Sequence, residues 1–146
     1  MKREYPTQPI IGVGALIIHE DRIVLVKRGV EPGKSQWSIP GGAVELGEGV
    51  RAAAVREAKE ECGLDIEIVD NRPIDEVDNI FKDEKGGFKY HYVLLQFLVE
   101  PKGGELKPGG DVLDARWIPL GGVENLKLTR SFRLFFKKHI DELKGF

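Results

Sequence analysis

Residues 42–64 read GAVELGEGVRAAAVREAKEECGL, and this stretch contains the strongest structural signal in the chain. From Glu48 onward the composition changes to good helix formers, with three consecutive alanines at its centre. Gly63 stands where a left-handed C-terminal cap belongs. The stretch therefore predicts a helix over 48–62 that begins just after a glycine-rich bend.

The predicted helix carries an acidic face. At about 100° per residue, Glu57, Glu60 and Glu61 fall within roughly one third of the helix circumference. The small and apolar side chains on the neighbouring face are predicted to pack on a sheet: Ala54, Val55, Ala58 and Cys62. An ordinary solvated face, balanced by nearby Arg51, Arg56 and Lys59, is the alternative interpretation.

A bound cation would stabilise this acidic face. Like charges three or four positions apart repel each other, and the repulsion grows as water is withdrawn. Mg²⁺ and Mn²⁺ prefer carboxylate and carbonyl oxygens, and they often bridge a carboxylate to a substrate phosphate. Gly41 and Gly42 lie just upstream and have no Cβ, so a bare carbonyl there can become a ligand.

Outward from the helix, the chain alternates strand patterns with turns. Apolar, β-branched runs and turn residues predict strands at 10–18, 23–26, 37–39, 64–69, 74–81, 90–99 and 115–118. The first two runs form a predicted hairpin, and Pro101–Gly110 is predicted to be a loop. A second, amphipathic helix is predicted over 129–144. Strands with two helices over one core indicate an α/β or α+β sandwich.

Composition limits the function classes. A length of 146 residues with 41% hydrophobic and 32% charged residues fits a single domain over 1–146. The net charge of −2 makes a nucleic acid partner unexpected. The longest apolar run spans nine residues, so neither a membrane helix nor a signal peptide is expected. A lone cysteine, Cys62, agrees with a cytoplasmic location.

The charged and glycine positions of residues 42–64 resemble the Nudix box. Gly42 is followed after five residues by Glu48, and after seven more by Arg56-Glu57-Ala58-Lys59-Glu60-Glu61-Cys62-Gly63-Leu64. The order of strands around the box also looks like a Nudix domain. The resemblance implies an α/β/α sandwich with a mixed sheet. It also implies Mg²⁺-dependent or Mn²⁺-dependent hydrolysis of a nucleoside diphosphate linked to another group.

The resemblance also implies roles for individual residues. The metal ligands would be Glu57, Glu60, Glu61 and the carbonyl of Gly41, while Arg56 would orient Glu60 or pair with Glu48. A further acid beyond the box would be a general base or an extra ligand, with Asp111 favoured over Glu105 and Asp114. From the residues themselves, Arg28 is a candidate for phosphate contact, and an ordinary surface charge is its alternative. Trp37 is a candidate for stacking on a base, although a core position beside the hairpin is the commoner outcome for such an aromatic residue.

The sequence is compatible with several functions. An ADP-ribose-like small molecule is the favoured substrate, and a nucleoside triphosphate cleaved to a monophosphate and pyrophosphate is the nearest alternative. A non-catalytic nucleotide-sugar sensor on the same fold is less favoured because no box carboxylate is missing. Processing of capped RNA would use a local basic patch around Lys127, Arg130, Arg133 and Lys137. A homodimer is compatible with the sequence.

Overall fold

A computed structural model of the protein describes residues 3–146. Its strands and helices follow one another along the chain, and a short 3₁₀ helix at Leu120–Asn125 precedes the last of them. The elements are β1 Ile10–His19, β2 Arg22–Arg28, β3 Trp37–Ser38, β4 Gly41–Ala43, α1 Val50–Cys62, β5 Leu64–Ile68, β6 Asp75–Lys82, β7 Phe88–Gly104, β8 Val112–Pro119 and α2 Arg130–Leu143.

The centre of the sheet is a parallel pair. β1 runs parallel to β7, with Ile10 opposite Tyr92 and Ile17 opposite Val99. The other pairings are antiparallel: β1 with β2 and β4, β2 with β3 and β8, and β7 with β5 and β6. One parallel pair among antiparallel neighbours makes the sheet mixed, as predicted.

The predicted hairpin at the start of the sheet is confirmed. Ile18 lies opposite Ile23, and the two residues between the strands, Glu20 and Asp21, both have positive φ angles of 52° and 59°. Two consecutive residues with positive φ form the turn whose twist matches that of a two-stranded ribbon. The polar turn after His19 therefore sets the register of the first two strands.

The helices cover opposite faces of the sheet. On β1, Val13, Ala15 and Ile17 point to the α1 side, while Leu16 and Ile18 point to the α2 side, as the two-residue period of a strand requires. The α2 side holds the phenylalanines Phe132, Phe135 and Phe136. Two apolar layers around one sheet confirm the α/β/α sandwich.

Helix α1 packs on the sheet through a narrow stripe of small residues. Ala53, Ala54, Ala58 and Cys62 are each 0% exposed. The prediction that Val55 belongs to this face is wrong, since Val55 is 39% exposed. The small side chains allow the helix to lie close to the strands. The helix is therefore rotated about its axis so that these residues face the sheet, and the larger valine points outward. The predicted cap is confirmed, because Gly63 has φ 78° and donates its N–H to the Lys59 carbonyl.

Several predicted boundaries differ from the structure, among them the start of α1 and the end of β7. α1 begins at Val50 instead of Glu48, because the Glu48 side chain accepts a hydrogen bond from the Glu45 N–H in the turn before the helix. The predicted loop over Pro101–Gly110 begins late, since β7 continues to Gly104 opposite β5. Backbone hydrogen bonds to β5 keep this glycine-rich segment extended, and the local sequence does not indicate that pairing. No helix in residues 3–146 is long and apolar enough to cross a bilayer.

Candidate active site

A cleft of about 1050 Å³ opens on the α2 side of the sheet, and it extends around the β4 bend to the acidic face of α1. Small-molecule sites have volumes of roughly 300–1,000 Å³, so this cleft lies at the upper end of that range. Predicted site residues that line it are Arg28, Gly41, Arg56, Glu57, Glu60, Glu61 and Asp111. The fold thus brings residues from distant parts of the chain to one surface.

Glu61 is fixed to the glycine bend. The Gly41 N–H donates a hydrogen bond of 2.8 Å to Glu61 Oε1. Burial raises the pKa of the Glu61 carboxyl to about 7, although the Gly41 hydrogen bond acts in the opposite direction. A carboxylate with this pKa carries a charge that the surrounding protein does not fully compensate.

Glu57 occupies the space that the missing side chain of Gly42 leaves. A Cβ on Gly42 would lie 2.6 Å from the Glu57 carboxylate carbon, well inside contact distance. Glycine at position 42 is therefore required for this carboxylate to lie against the backbone of β4. Burial raises the pKa of Glu57, and the hydrogen bond from Arg56 lowers it in part.

Arg56 is shared among several carboxylates. Its Nε and Nη2 donate to the two oxygens of Glu48 at 2.7 and 2.9 Å. Its Nη1 donates to Glu57 at 2.8 Å and to Glu60 at 3.1 Å. Both predicted partners, Glu48 and Glu60, are therefore in contact with Arg56. The guanidinium holds the pKa of Glu48 at about 2, well below its usual range.

The donor chemistry of this cluster fits a hard divalent cation. Glu57, Glu60 and Glu61 each use one carboxylate oxygen in a hydrogen bond, and within residues 3–146 the second oxygen of each has no such partner. One guanidinium cannot neutralise all of these charges. Within the same range no three acidic, histidine or cysteine side chains already converge on one point. Side-chain rotations on one helical turn would therefore accompany ion binding.

Arg28 and Asp111 both line the cleft, and the charges of both act on Glu61. Arg28 Nε donates to the Pro32 carbonyl at 2.7 Å, and burial lowers the pKa of its guanidinium, while the nearby charge of Glu61 raises it. In the described part of the chain no carboxylate forms a salt bridge with Arg28. Asp111 lies against Gly29, where any Cβ would collide with the Asp111 carbonyl oxygen.

The other two candidate acids lie outside the cleft lining. Asp114 forms a 2.8 Å ion pair with Arg116, and Glu105 is exposed beside Gly63 at the far end of α1. Of the three acids on this connection, Asp111 alone lines the cleft. Its negative charge lies close enough to raise the pKa of Glu61.

The structure does not bring Trp37 to the site. Trp37 is 8% exposed and belongs to the apolar layer under α2, with the Arg116 guanidinium 5.6 Å from its ring centroid. It is not among the residues that line the cleft. The stacking hypothesis for Trp37 is therefore corrected in favour of the core position, because β3 pairs with β2 and turns this ring inward.

Sequence reasoning missed the residues on β6 and β7 that line the cleft. Phe81, Tyr92, Leu94 and Gln96 all contribute to its wall. The last three alternate along β7 and therefore share one face of that strand. The alternation of these residues is visible in the sequence, but their position opposite Gly12 and Gly14 of β1 is set by the pairing of distant strands.

Comparisons with known proteins agree with this geometry. A family model for the NUDIX domain matches residues 8–138. An ADP-ribose pyrophosphatase of Methanocaldococcus jannaschii is 34% identical over 125 residues, which are 81% of this chain and 66% of that protein. An RNA pyrophosphohydrolase of Sphingopyxis alaskensis is 26% identical over 83% of each chain.

The fold also matches a solved structure. The crystal structure of a MutT NUDIX hydrolase from Burkholderia pseudomallei superposes with a TM-score of 0.72 at 29% identity, covering 89% of this chain and 97% of that one. The chain spans 66%, 44% and 62% of three of the curated relatives that it matches. Parts of those longer proteins therefore have no counterpart in this alignment.

Proposed function

The chain belongs to the NUDIX family, and from this premise we propose that it hydrolyses the diphosphate bond of a nucleoside diphosphate derivative, with an ADP-ribose-like molecule as substrate. The observation that carries the proposal is the surplus of carboxylate charge at the Gly41–Gly42 bend, placed in a cleft that also contains Arg28. A diphosphate is an anion, so this acidic surface favours it only together with cations.

We propose that Glu57, Glu60, Glu61 and the Gly41 carbonyl hold Mg²⁺ or Mn²⁺. Such ions neutralise phosphate charge and lower the pKa of bound water. The chain's own contribution is to position these groups. Gly41 holds one oxygen of Glu61, and Arg56 holds one oxygen each of Glu57 and Glu60. Because one oxygen of each carboxylate is held, the positions available to the second oxygen are restricted.

Arg28 and Asp111 are proposed to act on the substrate and on the attacking water. Arg28 Nε donates to the Pro32 carbonyl, which holds the guanidinium in place. Its two Nη groups are then available to donate to phosphate oxygens. The Asp111 carboxylate lines the same cleft and is proposed to accept a proton from the water. Water then becomes bonded to one phosphorus, and the bridging oxygen leaves with the other phosphate.

The preference for an ADP-ribose-like substrate rests on two observations. The relative with 34% identity is named an ADP-ribose pyrophosphatase, and the volume of the cleft lies at the upper end of the range for small-molecule sites. A nucleoside triphosphate or a 5′-triphosphate RNA end is the alternative substrate, since another relative is named an RNA pyrophosphohydrolase. Cytoplasm is the proposed location, supported by the buried, unpaired Cys62.

A product-identifying screen tests the proposal. Purified protein is incubated with ADP-ribose, nucleotide sugars, nucleoside triphosphates and 5′-triphosphate RNA, each with Mg²⁺, with Mn²⁺ or with EDTA. The expected result is AMP and ribose 5-phosphate from ADP-ribose, with activity lost in EDTA. Pyrophosphate release from triphosphates as the main reaction would favour the alternative. Binding without turnover would indicate a sensor, and EDTA-resistant hydrolysis would contradict the metal proposal.

A further inference from the structure

Two glycines of β1, Gly12 and Gly14, are part of the cleft lining. Gly12 and Gly14 of β1 lie opposite Leu94 and Gln96 of β7. A Cβ on Gly12 would lie 2.7 Å from Leu94 Cδ2, and a Cβ on Gly14 would collide with Gln96 Oε1. The Leu94 and Gln96 side chains therefore fold across the glycines, and the Gln96 amide lies directly over the Gly14 backbone.

The Gln96 amide is buried and incompletely paired. Gln96 is 5% exposed, and its Oε1 accepts no hydrogen bond in the described part of the chain. The other buried polar side chains, Thr129 and His139, do have partners. The Gln96 backbone carbonyl is also satisfied, since it accepts the Ile74 N–H at 2.8 Å. Buried side-chain acceptors without a hydrogen-bond partner are rare in native structures, and those that occur often have a functional role.

The surroundings of the amide suit a flat, largely apolar group with a polar edge. Ile39 and Leu94 flank it, while Tyr92 and Phe81 line the cleft beyond. Gly14 separates Gln96 from Gly41 in the sheet, because Gly14 pairs with both residues. Because the Gln96 amide lies over Gly14, one strand spacing of roughly 5 Å separates it from Gly41. An amide at this distance is within reach of the nucleoside joined to a diphosphate at Gly41.

We propose that Gln96 is a specificity-determining residue: its side-chain amide, which packs on the Gly14 backbone, turns into the cleft when substrate binds, and its Oε1 then accepts a hydrogen bond from an N–H or O–H donor on the nucleoside part of the substrate. The proposal rests on the proposed function, since it places the diphosphate at Gly41 and the nucleoside over Gly14. Two donors on adenosine have the required chemistry: the exocyclic amine of the base and the hydroxyls of the ribose. A site built around one such donor discriminates strongly against analogues that lack it.

Gln96→Met tests the proposal, because methionine has a similar shape and no amide. We expect the kcat/KM for ADP-ribose to fall by about tenfold to a hundredfold. IDP-ribose lacks the exocyclic amine, and the 2′-deoxy and 3′-deoxy analogues of the adenosine ribose each lack one hydroxyl. The analogue that lacks the donor should be a poor substrate for the wild type, and Gln96→Met should no longer distinguish it from ADP-ribose. Gln8→Met, at an exposed position outside the cleft, is the matched control.

Thermal unfolding without ligand provides a second measurement. Replacing an unpaired buried amide by an apolar side chain removes an unfavourable group, so the Tm of Gln96→Met should rise by about 2–4 °C. A glutamine with a purely structural role would give a lower Tm and an unchanged pattern of substrate preference. That combination would overturn the proposal.

Binding of α,β-methylene-ADP-ribose, whose diphosphate bridge cannot be hydrolysed, in the presence of Mg²⁺ separates this proposal from the proposed function. A dissociation constant at least tenfold weaker for Gln96→Met than for the wild type supports the role of Gln96, even if hydrolysis of ADP-ribose does not occur. Equal dissociation constants overturn it, even if hydrolysis of ADP-ribose does occur. Failure of the wild type to bind the analogue overturns it as well.

Discussion

Two charged clusters of similar size have opposite balances of charge. The Arg56 cluster, near the glycine bend, combines one guanidinium with three carboxylates in hydrogen-bond contact: Glu48, Glu57 and Glu60. The His139 cluster, between α2 and β6, combines Asp75 and Glu142 with the bases Lys138 and His139. The first has a surplus of acid, whereas the second pairs each acid with a base.

The pKa values follow the two balances. In the His139 cluster the hydrogen bonds from Lys138 and His139 lower the pKa of Asp75 to about 2. Burial alone would lower the pKa of His139, but its bonds to Asp75 and Glu142 raise it. Beside the Arg56 cluster, burial raises the pKa of Glu61 to about 7. A carboxylate that is paired with bases, such as Asp75, stabilises the fold. A carboxylate without a full complement of positive charge, such as Glu61, is available to a ligand.

The largest expected effect comes from removing one surplus charge. Glu61→Gln and Glu57→Gln each exchange one oxygen for an amide and keep an acceptor for Gly41 or Arg56. We expect kcat/KM for ADP-ribose to fall by about 10²–10³-fold with Tm unchanged or raised. Glu124→Gln, on the exposed face of the 3₁₀ helix, is the matched control. Activity retained within tenfold in both variants would contradict the proposed metal site.

A smaller effect is expected when the carboxylate is displaced but kept. Gly42→Ala would place a methyl group 2.6 Å from the Glu57 carboxylate carbon, so the flexible side chain must move. A displacement near 1 Å can reduce activity by about a hundredfold, and we expect a loss of about tenfold to a hundredfold with little change in Tm. Gly49→Ala, with no atom within 4 Å of the added methyl, is the control. Equal kcat/KM for the two variants would show that the position of Glu57 is unimportant.

The smallest effect on activity is expected in the balanced cluster. Asp75→Asn removes the charged partner of His139 and Lys138, which should lower Tm by roughly 3–8 °C. The kcat/KM should stay within about twofold of the wild type, because Asp75 does not line the cleft. Asp141→Asn, whose side chain is 93% exposed, should leave both quantities unchanged. An active-site defect in Asp75→Asn would remove the distinction between the clusters.

The pH dependence of this Tm difference follows from the two pKa shifts. The folded pKa of Asp75 is lowered, so its contribution is complete above its unfolded pKa of about 4 and is lost as pH falls toward 2. The folded pKa of His139 is raised, so its contribution is complete below about 6.5 and is lost as pH rises. The Tm difference between wild type and Asp75→Asn should therefore be largest between about pH 4 and pH 6.5. A larger difference at pH 9 would contradict this assignment.

The sequence predicted best what depends on local periodicity. The α2 helix with its phenylalanine stripe, the Gly63 cap and the acidic turn of α1 all follow from spacing over a few residues. Gln96 and Trp37 depend instead on which distant strands become neighbours. The orientation of Trp37 is set by pairing of β3 with β2, and the importance of Gln96 appears only when β7 lies beside Gly14. Local spacing carries no information about either pairing.

The parallel pairing of β1 with β7 has a consequence for biosynthesis. Ile10 lies opposite Tyr92, more than 80 positions later in the chain. At roughly 5–20 residues per second, the ribosome releases that partner several seconds after the first strand. During this interval a nine-residue apolar segment, Ile10–Ile18, lacks its central neighbour. We therefore expect this segment to be the main site of aggregation in the nascent chain. Expression at a lower temperature, or with additional chaperones, should increase the yield of native protein.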